Sequence, residues 1–522
     1  MKKQLLTFLL VALALLVMQP PAQAAEQKSY RDVTYKIVTL KNGAREVHIT
    51  GAVDIKNHIV IPAKIEGLPV TEIGDQAFLF DRSDYASDGT YNPSEMPGYS
   101  DLFIQSVQLP TTLKRIGKEA FLSHHLRKVT LPNGLKEIGY GAFADNHLTA
   151  ITIPKSVEKI GGNIVQGNLI KTTNIPTQFK QPKEKQSGKL LYVTFTRNGK
   201  TEVRITGHTY KTEQTKILIP KTINKMPVTE IGDYAFTHAA SLLGLHTNKP
   251  RIKEVVLPET IRKIGNHALA EVRYDNNSRR AFSLPRDLEV IGDYAFAHNG
   301  ITNRGNHFKF PQKLRSIGEG AFQWNHFQAI TLPINIKTIE DYAFEYNQLK
   351  QVTMGNGIKT IAKGAFRGNN IASLTLPKDV VSIEDEAFYS NKLPRIVLPT
   401  TVTTVGEFAF ARNQLVEAKL PNPLRMIGDG AFADNKLRAF QVPSNVTELP
   451  LNALLENPLQ TIKIQGAVTK LTDHSIIYKS YRSTYYEVNR QLKLYTDAQY
   501  TQPWTNWGKI IPQRTTLYMK AQ

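Results

Sequence analysis

The chain is 522 residues long, with 41% hydrophobic and 21% charged residues, a balance that excludes a disordered polar chain and permits a sizeable core. It contains no cysteine, which excludes a lipoprotein anchor, disulfides and thiolate zinc sites and leaves packing alone to stabilise the fold. A formal charge of +20 favours anionic partners, or else marks a merely soluble basic surface.

Met1-Lys2-Lys3 precede an apolar run from Leu5 to Met18, followed by Pro20, Pro21 and the small-residue pattern Ala22-Gln23-Ala24. Residues 1–24 therefore read as a secretory signal peptide, and loss of Lys2 and Lys3 leaves 20 − 2 = +18 on the mature chain. The apolar run is too short for a membrane span, and no later stretch approaches the ~20 apolar residues that a transmembrane helix needs.

Residues 25–173 read as a hairpin cap followed by a first repeat module. Asn42-Gly43 sits between strand-like runs, and both residues tolerate the positive φ of a type I′ turn, so a β-hairpin is predicted here. The repeat then appears as Ile73-Gly74-Asp75-Gln76-Ala77-Phe78, as Ile116-Gly117 to Phe121, as Ile138-Gly139 to Phe143, and as a degenerate coil at Ile160 to Val165. An insertion from Phe80 to Leu102 carries Asp81, Asp84, Asp88, Glu95 and Asp101 with three tyrosines, as a binding loop or a mobile surface loop.

Polar, proline-bearing residues 174–188 read as a linker. The opening then recurs: Asn198-Gly199, Glu202-Val203, Ile205-Thr206-Gly207 and Pro227-Val228-Thr229-Glu230-Ile231 match Asn42-Gly43, Glu46-Val47, Ile49-Thr50-Gly51 and Pro69-Val70-Thr71-Glu72-Ile73. A terminal coil must be capped because it would otherwise expose apolar surface, so two openings imply two modules, the second over residues 189–465. Further insertions occupy Thr237 to Arg251 and Glu271 to Arg280.

Within the second module Phe322, Phe344, Phe366, Phe388, Phe410 and Phe432 recur every 22 residues, each preceded by alanine. Asn325, Asn347, Asn369, Asn391, Asn413, Asn435 and Asn457 keep the same spacing and read as a structural asparagine ladder, since an amide can both donate and accept between coils. Alternation around Ile330 and Leu332 predicts a short strand, Pro333 ends it, and the chain returns through Ile336 and Ile339 to the Ala-Phe pair. Alanine is expected where backbones approach, and phenylalanine is expected to fill the interior.

In the order strand, Leu-Pro, Ile-Gly, Ala-Phe, Asn, these residues resemble the BspA-like or Treponema-type leucine-rich repeat, over roughly Ile59 to Ile464. The expected fold is thus a mainly β repeat solenoid: coils of about 22 residues, a parallel sheet, β-hairpin caps and a β-rich tail. The resemblance implies a bacterial surface adhesin or host-interaction protein. In residues 466–522, Leu494-Tyr495-Thr496-Asp497-Ala498, Thr501-Gln502-Pro503-Trp504 and Thr516-Leu517-Tyr518 are similar to the closing half of a Listeria-Bacteroides repeat, and the aromatic tail is an independent module or a C-terminal cap. The chain closes on Lys520-Ala521-Gln522 without an LPxTG-like signal, so wall attachment by that route is not expected.

The sequence holds no catalytic, metal-binding or cofactor-binding constellation. His124-His125 is the one adjacent histidine pair, His298 and His326 fall on opposite sides of their asparagines, and such residues are read as surface side chains. Repeat-positioned acids such as Asp341 are read as surface or turn residues. The outward side chains of the strand face, Ala329 and Thr331, Gln351 and Thr353, Ser373 and Thr375, Arg395 and Val397, Glu417 and Lys419, Ala439 and Gln441, form polar columns poor in aromatics. Such a face disfavours a sugar-binding groove or a specific nucleic-acid channel and suits an extracellular or host protein, with Gln351, Thr353, Ser373, Thr375, Arg395, Glu417 and Lys419 as the candidate contact set. The alternative is charge-driven, salt-sensitive binding to anionic polysaccharide or cell-envelope polymers.

Overall fold

A computed structural model describes residues 28–53, 56–78, 103–122, 124–144, 146–162, 164–165, 168–170, 172–174, 184–213, 216–237, 252–272, 283–302, 308–466, 470–472, 477–479, 485–487, 494–495 and 516–519. The signal-peptide segment, most of the three insertions and most of the tail lie outside them. The chain divides into two compact units, the first ending at Gln181 and the second beginning at Pro182.

The first unit opens on an antiparallel sheet of Lys28–Tyr30, Val33–Thr39 and Arg45–Ala52. Arg45–Ala52 then pairs in parallel with Leu68–Ile73, which is followed, coil by coil, by Arg115–Ile116, Glu137–Ile138 and Lys159–Ile160. The second unit repeats this order. Lys185–Ser187, Leu190–Arg197 and Lys200–His208 are antiparallel, and Met226–Ile231, Lys263–Ile264, Val290–Ile291 and Ser316–Ile317 continue in parallel. The repeat solenoid expected from the sequence is present, and each opening hairpin supplies the first strand on which a coil is laid.

The two opening turns differ. Between Arg197 and Lys200, Asn198 at φ 49° and Gly199 at φ 74° form the two-residue turn that the sequence predicts. The first hairpin departs from it. Five residues separate the paired Thr39 and Arg45, only Gly43 has positive φ, and its N–H donates to the Leu40 carbonyl at 2.9 Å, so the longer loop needs one left-handed residue rather than two.

Sequence reading also placed the parallel sheet on the Ile330 strand alone. That strand exists as Ala329–Thr331, but its column pairs only in short runs, with Gln351–Thr353, then Arg395–Val397 with Glu417–Lys419, and Ala439–Val442 with Thr461–Ile464. The longer ladder runs through the return segment: Thr338–Ile339, Thr360–Ile361, Ser382–Ile383, Thr404–Val405 and Met426–Ile427. Two-residue strands carry no alternation for a sequence to display. Where a glycine follows such a strand, neighbouring coils approach closely: a Cβ on Gly139, after Glu137–Ile138, would stand 2.3 Å from the Lys118 backbone nitrogen.

Between these ladders lies the core. Phe78, Phe121 and Phe143 stack at 5.0–5.6 Å in the first unit. Phe296 through Phe432 stack at 5.3–5.8 Å in the second, with ring planes within 11° of parallel. These rings are fully buried, and their spacing follows the distance between hydrogen-bonded coils.

Two tight turns per coil require a left-handed residue, one before Ala-Phe and one before the asparagine. Tyr342, Gly364, Glu386, Phe408 and Gly430 fill the first column, and Tyr346, Gly368, Ser390, Arg412, Asp434 and Glu456 the second, all at φ between 47° and 67°. Where an aromatic stands, the next coil supplies glycine beneath its ring, as at Gly364 under Tyr342 and Gly430 under Phe408. Elsewhere a side chain carries a steric cost of roughly 1–2 kcal/mol. Glu456 is exposed at φ 52°. Glu456→Gly should therefore raise stability by about 0.5–1 kcal/mol in urea titrations whereas Glu456→Ala should give no gain.

Candidate functional site

The asparagines occupy the bend after each Phe, where the chain exposes backbone groups that its own coil cannot satisfy. Asn391 is typical. Its Nδ2 donates to the carbonyl of Phe366 in the preceding coil at 2.9 Å and to its own Phe388 at 3.2 Å, while its Oδ1 accepts the N–H of Ile371 at 3.0 Å. Asn325, Asn347, Asn369, Asn413, Asn435 and Asn457 repeat this arrangement, each carbonyl partner lying 25 residues back or, for Asn325, 29. Asn146, Asn168 and Asn299 make bonds of the same kind, although sequence reading did not single them out.

The acids two residues after the return-strand isoleucine form a second row of inter-coil bonds. Oδ1 of Asp75 accepts the Lys118 N–H at 2.9 Å, Asp341 accepts that of Lys363 at 3.1 Å and Asp385 that of Glu407 at 2.7 Å. The reading of Asp341 as a plain surface or turn acid is thereby corrected, because its carboxylate closes a main-chain donor of the next coil.

His124 is not a surface residue either: it is 0% exposed and stands where the ladder places asparagine, three residues after Phe121. Its Nδ1 accepts the N–H of Ile104 at 3.3 Å and its Nε2 donates to the Phe78 carbonyl, so a neutral imidazole reproduces the amide's acceptor and donor. Burial pushes its pKa down to about 4, against a smaller upward pull from the Phe78 carbonyl. His125 and His147 share a register and stack at 4.8 Å, with Phe103 at 4.2 Å beyond His125. Face-to-face rings do not converge on one ion, and among the described residues no group of three or more His, Cys, Asp or Glu could hold a metal.

The strand face lies in the second unit. Gln351, Thr353, Ser373, Thr375, Arg395, Glu417 and Lys419 are all exposed, as are Thr331, Ala439 and Gln441, with Ala329 half-buried. Parallel pairing places Arg395 opposite Glu417 and Val397 opposite Lys419. Glu417 and Lys419 form an exposed ion pair at 3.3 Å, which adds little to stability. Val397, which the sequence places outward, is 59% exposed, and Val416, which sequence reading did not single out, is 61% exposed.

The sequence matches the family described as BspA type leucine rich repeat region in six copies, over residues 98–200, 209–298, 244–371 and 359–484. Solved structures that align with it include a leucine-rich repeat protein of Bacteroides ovatus, 17% identical over 79% of this chain and 94% of that one, with a TM-score of 0.27. The T. pallidum leucine-rich repeat protein is 23% identical over 36% of this chain and 89% of that one, at a TM-score of 0.25. The pneumococcal vaccine antigen PcpA is 16% identical over 84% and 89%, at 0.24. No curated protein matches the chain.

Two outcomes follow from the ladder. Asn391→Ala orphans the Ile371 donor and should cost about 2 kcal/mol or more in urea titrations. His124 is neutral when folded and takes up its proton near pH 6.5 when unfolded. The first unit should therefore be fully stable above pH 6.5 and lose up to roughly 3 kcal/mol as the pH falls toward 4. Hydrogen-exchange protection of residues 104–122, corrected for intrinsic rate at pH 7 and 4.5, reads this loss, and His124→Asn should remove the part due to the imidazole.

Proposed function

The chain belongs to the BspA-type leucine-rich repeat family, and from that premise we propose that it is a secreted or surface-exposed bacterial protein that binds an extracellular or host protein, as an adhesin does. The observation that carries this reading is the patch around Arg395 and Glu417. Cross-strand charges and the exposed Val397 stand in fixed register on paired strands, with the exposed Val416 just before the second strand and the Phe stack in the core of the same coils. Protein interfaces draw most of their energy from a few desolvated anchors within a polar rim, and arginine is among the commonest of these.

We read the role as non-catalytic. The ladder asparagines and His124 are committed to main-chain bonds between coils, and the buried Glu202 and Glu230 to guanidinium groups. No helix among the described residues is long and apolar enough to cross a membrane. In this reading 1–24 directs export, 25–173 and 189–465 act as tandem modules joined by 174–188, and 466–522 closes the second. The cap reading of the tail is supported by the antiparallel pairing of Thr516–Met519 with Thr461–Ile464.

The test is capture of exposed surface and matrix proteins by the chain lacking 1–24, followed by interferometry on the captured partner. Arg395→Ala with Glu417→Ala should weaken affinity by about tenfold or more, a loss of ~1.4 kcal/mol. Undiminished capture by that double variant would overturn the assignment of this face.

A further inference from the structure

The second hairpin borders a cleft of about 320 Å³ whose charged lining is Arg197, Arg262, Lys263, Arg315 and Glu289. These residues are far apart in sequence and are assembled by the fold. Arg197 ends the strand before the tight Asn198-Gly199 turn, and Lys263, Val290 and Ser316 stand in register on successive coils, with Arg262 and Arg315 just before their strands. We propose that this cleft binds the sulfate or carboxylate groups of an acidic polysaccharide.

Its guanidinium groups are held in place without a ligand. Two buried carboxylates, Glu202 at 4% exposure and Glu230 at 2%, hold Arg262 and Arg197, while Arg315 pairs with the more exposed Glu289 at 3.1 Å. Glu230 accepts from Arg197 and, at 2.6 Å, from Arg204 Nε. Glu202 accepts from Arg262 Nη1 at 3.2 Å and from the Thr229 hydroxyl at 2.7 Å. Arg197 and Arg204 also lie over the Phe195 ring, at 5.4 and 5.0 Å. Side chains already ordered lose little entropy on binding, and a guanidinium fork suits the paired oxygens of sulfate or carboxylate. The acids that face the five cations Arg197, Arg204, Arg262, Lys263 and Arg315 are Glu202, Glu230, Glu289 and Asp233, together with Asp287, which acts on Arg262 and pairs with Lys313.

The first unit is an internal control. Its hairpin has the same register, but His48 stands in place of Arg204, and Arg115 is enclosed by Glu72 at 2.7 Å, Asp75 at 2.5 Å and Glu137 at 3.9 Å. A basic cleft is therefore not a by-product of the hairpin and coil architecture. The site is also separate in sequence from the Arg395 patch, so either assignment can fail alone.

The experiment measures binding of the chain to immobilised heparin and to hyaluronan, which carries carboxylates without sulfate. Lys263→Ser with Arg315→Ser leaves the partners of Glu202 and Glu230 intact, and Lys359→Ser with Lys378→Ser removes the same charge from other exposed positions. The cleft pair should weaken binding by about tenfold or more at physiological salt and flatten its salt dependence, with little change in the control pair. Binding to heparin alone assigns sulfate, and binding to both assigns either group. No binding to either polymer, or equal losses in the two variant pairs, overturns the proposal.

Discussion

Main-chain groups at the bends of each coil find their partners only in the neighbouring coil, and the rest of the structure follows from that dependence. An asparagine amide reaches back to the carbonyl of the preceding Phe, an aspartate two residues after the return-strand isoleucine accepts from the next coil, and the Phe rings repeat at the same interval. The order of the repeat is therefore fixed at several points per turn. It also explains where the chain tolerates extra residues. Phe78, Phe236 and Leu269 are followed at the third residue by Asp81, Ala239 and Val272 rather than asparagine, and the three insertions span these positions. A coil with no amide to place at that bend is free to accept a longer one.

Much of this architecture is legible in the sequence because it rests on identities repeated at one interval. The Ala-Phe pair gives the core, the doubled Asn-Gly opening gives the hairpins, and the Leu-Pro step gives the end of a strand. The missing parts have physical reasons. The ladder through Ile339 and Ile361 is built of two-residue strands that show no periodicity, and the left-handed columns admit tyrosine, serine and glutamate as well as glycine, so composition hides them. His124 escapes notice because an imidazole and an amide share a hydrogen-bonding pattern but not a letter. Of the candidate face, the outward columns, Val397 among them, are visible from alternation, whereas the exposure of Val416, just before its strand, is not.

The duplicated openings show how one backbone frame carries different chemistry. Val47 and Ile49 pair with Val70 and Ile73 just as Val203 and Ile205 pair with Val228 and Ile231, so the apolar side of each hairpin is conserved within the chain. The polar side is not. Acids surround Arg115 in one unit, while in the other three guanidiniums share two buried carboxylates and turn their remaining donors outward.

Parallel coils present unsatisfied strand edges at both ends, and such edges are templates on which another chain could polymerise. In the second unit one column at each end runs against the parallel grain: Lys185–Ser187 and Leu190–Arg197 at the start, Thr516–Met519 beyond Thr461–Ile464. At those two edges a further copy would not continue the parallel register, so half of each end is blunted against the edge-to-edge growth that feeds fibrils.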